Sequence, residues 1–198
     1  MIADPDRFAA TIGRFDAANE QDPNREQNQP RELIYAQRMT QMLERFAPDA
    51  DEAVRLAVRA QHIERWKTPR SSYPEGRAGY LAWRQDLYRI HADTAACILA
   101  ETGYDEGTIT RVRDAIAKRD LKTNPDSQLV EDVAALVFLE HYLADFAAQH
   151  PDYDDAKWIG ILRKTWRKMS PAAREFALGG ELQIPDALAP LVLRAVGS

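Results

Sequence analysis

Cysteine is nearly absent from this chain: its 198 residues include only Cys97. No intramolecular disulfide can form, and no Cys-x-x-Cys pair exists for metal or redox work. Histidine is scarce as well, with four residues, and no His-Glu-x-x-His occurs. A Gly-rich phosphate loop is missing too, which excludes the common nucleotide cradles. No segment alternates apolar and polar residues convincingly enough to make a half-buried strand. No apolar run approaches membrane-spanning length, and the opening MIADPDRF has neither the basic nor the apolar part of an export signal. A cytoplasmic protein without a membrane partner is expected. Excess positive charge is lacking: 26 Lys and Arg against 31 Asp and Glu give a net charge of −5, which argues against nucleic acid as a partner. Cys97 itself lies in the apolar run AACIL and reads as a small buried hydrophobe.

What remains is helix. Asp4-Pro5 opens a first helix reaching about Asn19, with Phe8, Ile12 and Phe15 on one stripe. The polar loop EQDPNREQNQP follows, and then a helix from about Arg31 to Phe46. Asp49 or Asp51 caps a third helix expected to run to Trp66. Pro69, Ser71, Ser72, Pro74 and Gly76 mark a loop, and a long helix from about Arg77 to Thr102 stops at Gly103. Another spans Asp105 to about Asp120. The most apolar helix, Ser127 to about Gln149, reads as the buried centre of a bundle. Beyond it come Asp152 to Lys168, a short helix started by Ser170-Pro171 and ended by Gly179-Gly180, and a last one from about Pro185 to Val196. The expected fold is all-α, with a core over residues 1–150 and a helical extension over 151–198.

One stretch is chemically unusual. HIERWKTPRSSYPEGRAGYLAWRQDLYRIH, from His62 to His91, holds five arginines, two tryptophans and three tyrosines. Twenty of the 26 basic residues of the chain are Arg, so positive charge is presented mainly as rigid forks that grip anions and stack on rings. The segment reads either as an anion grip or as a packing loop between helices. In the first reading Arg65, Arg70, Arg77 and Arg84 clamp the ligand, and Trp66, Tyr73, Tyr80 and Trp83 form its walls. His62 extends the apolar face of Val54 and Val58 at helical spacing, and His91 shares a face with Arg84. Asp132 stands inside an apolar run, where a carboxylate is costly to bury unless paired or ligating. Lys118 is its candidate cation. His141 and His150 read as structural.

Three segments carry a resemblance. AVRAQHIERW, HADTAACILAETGY and SQLVEDVAALVF resemble, in order, helices of the HD-domain phosphohydrolases, all-α metal enzymes that cleave phosphate esters. The resemblance implies an HD-like bundle in which His62, His91 and Asp132 hold one divalent metal ion. The chain departs from that pattern at Tyr35, where the family has its first His, at Ile63, where it has the Asp of the His-Asp pair, and at Lys118, where many members keep another His. A second resemblance spans DAANEQDPN, RELIYAQRM, HIERWKTPRSSYPEGRAGYLAWR and QLVEDVAALVFLEHYL. It is to an uncharacterised all-helical family of bacteria and fungi often labelled glutamyl-tRNA synthetase. That label conflicts with the residues, because His62-Ile63-Glu64-Arg65 and Lys168-Met169-Ser170 only faintly echo motifs that require a parallel sheet. The expected function is hydrolysis of a small anionic substrate, a phosphorylated metabolite or nucleotide, with His62, His91, Asp132 and Lys118 catalytic. The alternative is a non-catalytic anion or nucleotide sensor that has lost its metal site. Trp158 and Trp166, two helical turns apart, leave an oligomer interface or simple packing open.

Overall fold

Helix starts in this protein follow local chemistry closely. The computed structural model describes residues 2–184 and 188–196. Asp4, Asp51, Asp105, Asp154 and Ser170 each accept a backbone N–H from the first turn of the helix they precede, satisfying donors that have no partner within the helix. The fold is all-α, as expected. Helices α1 (Pro5–Glu20), α2 (Arg31–Phe46), α3 (Glu52–Ala60), α4 (Gly76–Glu101) and α5 (Glu106–Ile116) form the body of a first compact unit, residues 1–130. Helix α6 (Pro125–Val137) runs into a second unit, residues 131–198, which continues with α7 (Leu143–Gln149), α8 (Asp155–Lys168), α9 (Pro171–Leu178) and α10 (Ala189–Val196). Pro185, the expected start of the last helix, lies outside the described residues.

In the first unit, α3 packs against α2 and α5, and α4 against α5. Phe15, Met39, Met42, Leu43, Leu56, Ile63, Leu99 and Ile116 are its largest fully buried apolar side chains, each worth roughly 2 kcal/mol of burial. In the second unit α8 packs on α10. Trp158 and Leu162 turn inward, and Phe146 meets the Trp158 ring edge-on at 5.5 Å. Trp166 stays partly exposed beneath Arg174. The expected continuous helix from Ser127 to Gln149 is instead interrupted by a π-helical turn at Phe138–Tyr142.

A small hairpin adds to the expected all-α fold, and two further expectations need correction. The only strands among the described residues are a two-residue ladder, Arg25–Glu26 against Gln29–Pro30, closed by Gln27 and Asn28 at φ 50° and 64°, the backbone of a tight hairpin turn. Helix α3 ends at Ala60 rather than Trp66. Cys97 is exposed, because α4 buries Leu87, His91, Ala95 and Leu99 at four-residue spacing and Cys97 falls off that stripe. Among the described residues no helix is long and apolar enough to cross a membrane.

Candidate functional site

The end of α1 organises the site. Asp16 holds Arg59 of α3 through two hydrogen bonds of 2.7 and 2.6 Å. One turn on, the buried Asn19 accepts the Glu64 N–H at 2.9 Å. Glu64 stands in the left-handed region, at φ 55°, so the chain leaves the α3 axis and His62 sits in a turn. After a further three residues, the buried Asp22 accepts the N–H groups of Asn24 and Glu32 at 2.9 and 3.1 Å. That carboxylate caps α2 from outside the helix, where Pro30 offers no side-chain cap, and fixes Glu32 in its first turn.

These constraints converge on His62. Its ring stacks on Tyr35, with centroids 4.1 Å apart and planes at 13°, and the Tyr35 hydroxyl donates to Gln61 Oε1 at 2.7 Å. A Glu32 carboxyl oxygen lies 3.6 Å from His62 Nδ1. Arg65 NH1 lies 3.3 and 3.4 Å from the two ring nitrogens, and its guanidinium covers Trp83 at 5.2 Å. The His91 ring lies 5.8 Å from that of His62. His91 Nδ1 is 2.7 Å from the Ile63 carbonyl, which can only accept, so Nδ1 carries the proton and Nε2 is a bare lone pair. Nε2 is buried and has no hydrogen-bond partner.

The electrostatics follow from burial inside a positive field. Desolvation, then the charges of Arg65, Lys118, Arg84 and Arg31, hold His62 well below its usual range. Burial, assisted by His62, pushes His91 down to about 3. Burial raises Glu32 to about 7, with Arg65 opposing. At neutral pH the cluster therefore holds two uncharged imidazoles and a carboxyl poised between its two forms.

The sequence-selected residues divide accordingly. His62, His91, Arg65, Trp83, Arg84 and Lys118 act on or around one cluster. Arg84 donates to the Tyr80 hydroxyl at 3.3 Å and to that of Tyr88, and Lys118 lies 5.7 Å from the Tyr88 ring centre. Arg70 is used inside its own loop, donating to the carbonyls of Tyr73, Pro74 and Gly76 at 2.9, 2.8 and 3.3 Å. Tyr73 donates to Asp86 at 2.8 Å, and Trp83 Nε1 to the Thr68 carbonyl at 2.9 Å. Arg77 is exposed, and Trp66 is partly covered with Lys67 5.4 Å above its ring. In the second unit, the buried Asp132 accepts the Ser170 N–H at 2.8 Å, which seats the start of α9. Among the described residues no group of three or more His, Cys, Asp or Glu side chains is arranged to hold a metal ion.

A family model matches residues 9–192. The chain belongs to the DUF4202 family, described as a domain of unknown function. The match to DUF4202 takes in every element of the cluster, from Asp16 on α1 to Lys118 after α5. No curated protein and no solved structure matches the chain.

Glu32, Tyr35 and Gln61 are site members that the sequence reading did not select as such. Their signal lies in DAANEQDPN, where Asp16 and Asn19 share a face at the end of α1 and Asp22 follows three residues on, just past the helix. A groove of about 420 Å³ between α4 and α5 is lined by Tyr88, Arg89, Arg113 and Arg119. Its arginines already face carboxylates: Arg113 meets Asp93 at 2.7 Å and Arg119 meets Asp114 at 3.3 Å.

Proposed function

We propose that this DUF4202 protein binds a small phosphate-bearing anion beside His62 and hydrolyses its phosphate ester, as a degenerate relative of the HD-like phosphohydrolases. The observation supporting the reading is the buried Glu32 carboxyl 3.6 Å from His62 Nδ1, with the buried His91 ring beside it and Arg65 on the His62 ring; burial there raises the carboxyl and lowers both imidazoles. Arg65, Arg84 and Lys118 draw the anion in and stabilise charge on its equatorial oxygens. A water oxygen bonds to phosphorus while the Glu32 carboxylate takes the water's proton. The bridging P–O bond breaks, and the leaving oxygen takes a proton from solvent. A base with a pKa near the working pH is well matched to that transfer.

The resemblance also implies a form of this reading in which His62 and His91 are ligands of a divalent ion. In the present arrangement Arg65 lies against both ring nitrogens of His62, the atoms a metal would need, so the acid–base route fits the first unit better. The second reading is an anion sensor without turnover. It is favoured by Tyr35 stacked in the place of a ligand, and by the fully buried Ile63 side chain in the place of an aspartate.

The test is release of inorganic phosphate from a panel of phosphate monoesters, with metal content measured on the same preparation. Arg65→Ala should raise KM strongly, and His62→Ala should lower kcat. Retention of full activity by both variants overturns the site. Saturable binding without release of phosphate selects the sensor.

A further inference from the structure

The unused atom of the cluster is His91 Nε2. The ring is 2% exposed, its Nδ1–H is committed to the Ile63 carbonyl at 2.7 Å, and Nε2 has no partner. A buried acceptor left bare carries its full desolvation penalty, so the site is most stable with a ligand that brings a donor to it. Its surroundings select what kind of donor. Arg65 lies on the neighbouring His62 ring, whose centre is 5.8 Å from that of His91. The charges of Arg31, Arg84 and Lys118 reach the His62 ring, while at His91 itself Arg65 is opposed by the Glu32 carboxyl. The field favours an anion, whereas the lone pair favours an N–H or O–H. An oxyanion that keeps a proton meets both demands at once. A fully ionised oxyanion meets only the first, and sets one of its own lone pairs against that of His91.

Resting on the anion site proposed above, we infer that His91 makes it selective for protonated oxyanions, hydrogen phosphate above all, over fully ionised ones such as sulfate. The two ions are close in size and share a charge of −2, but only hydrogen phosphate carries an O–H to donate. His91 Nε2 accepts that O–H while the guanidinium groups bind the remaining oxygens. In hydrolysis the same contact holds the monoprotonated form of the ester and then the inorganic phosphate product, so phosphate inhibits and sulfate does not.

The test is calorimetric titration of the 198-residue chain with inorganic phosphate and, separately, with sulfate, at pH 7 and constant ionic strength. Phosphate is expected to bind at least about tenfold more tightly, the equivalent of one well-made hydrogen bond. In His91→Leu the ratio should fall to near one, through loss of phosphate affinity. Equal affinities in the wild-type protein overturn the selectivity and leave the anion site standing, whereas binding of neither ion overturns the anion site itself. A variant that keeps the wild-type ratio removes His91 from the role. If His91→Leu does not fold, His91→Asn, which keeps a donor for the Ile63 carbonyl but has no Nε2, is measured in its place with the same expectation.

Discussion

Glu32→Gln should make this protein more stable above neutral pH and less active. Glu32 is 9% exposed, and burial raises its pKa from the ordinary 4.5 to about 7. Below pH 4.5 the carboxyl is protonated in both the folded and unfolded chains and contributes no pH dependence. Between 4.5 and 7 the unfolded chain releases the proton while the folded one keeps it, so stability falls as pH rises. Above 7 the whole cost is present, about 3 kcal/mol. His91 acts in the opposite sense: lowered to about 3, it withdraws stability as pH falls from 6.5 to 3. The two slopes oppose each other between 4.5 and 6.5, so the Glu32 effect is read most cleanly at pH 8. Glutamine mimics the protonated carboxyl and never ionises. Urea denaturation should therefore show Glu32→Gln about equal to wild type at pH 4.5 and about 3 kcal/mol more stable at pH 8. Under the proposed function the same variant should lose phosphate-ester hydrolysis at least about tenfold, since the proposed proton acceptor is gone. A stability difference that does not change with pH would refute the argument, because Glu32 would then not titrate in a buried site.

Other outcomes follow from the same geometry. Arg70→Ala should lower stability by about 1–2 kcal/mol through its lost bonds to the Tyr73, Pro74 and Gly76 carbonyls, and speed proteolysis within residues 70–76. Gly79→Ala would place a Cβ 1.9 Å from the Pro74 carbonyl oxygen, so a loss of about 1–3 kcal/mol is expected on thermal unfolding; an unchanged midpoint would mean that the loop does not rest on α4. Cys97, being exposed, should react with a maleimide in the native protein, and mass spectrometry after a short pulse without denaturant checks it.

Helix starts were legible because a cap is local: Asp4, Asp51, Asp105 and Ser170 sit in the chain next to the N–H groups they satisfy. The end of α3 was not. AVRAQHIERW keeps helical spacing past His62, and the backbone is turned aside by Asn19, 45 residues earlier in the chain. Composition picked out the Arg-aromatic segment but could not apportion it, since Arg65 and Arg70 differ only in where the folded chain places them. Glu32 was hidden for a related reason: a glutamate in a first helical turn reads as a favourable partner for the helix dipole, and only burial converts it into a titrating group.

The polar character of the cluster is what ties fold to function. Asp22, Glu32, Gln61 and His91 are all buried in a unit whose other buried side chains include Met39, Leu56 and Ile63. Apolar residues of similar volume at these positions would remove the desolvation cost of Glu32 and the bare lone pair of His91, and would on physical grounds give a more stable protein. The backbone nevertheless spends specific bonds on holding the polar set in place, with Asp22 on Glu32 and Ile63 on His91. A packing loop needs none of this. A site of the kind proposed, which must meet an anion and manage its proton, would need all of it, and the cost in stability would then be the ordinary consequence of preorganised acid–base groups.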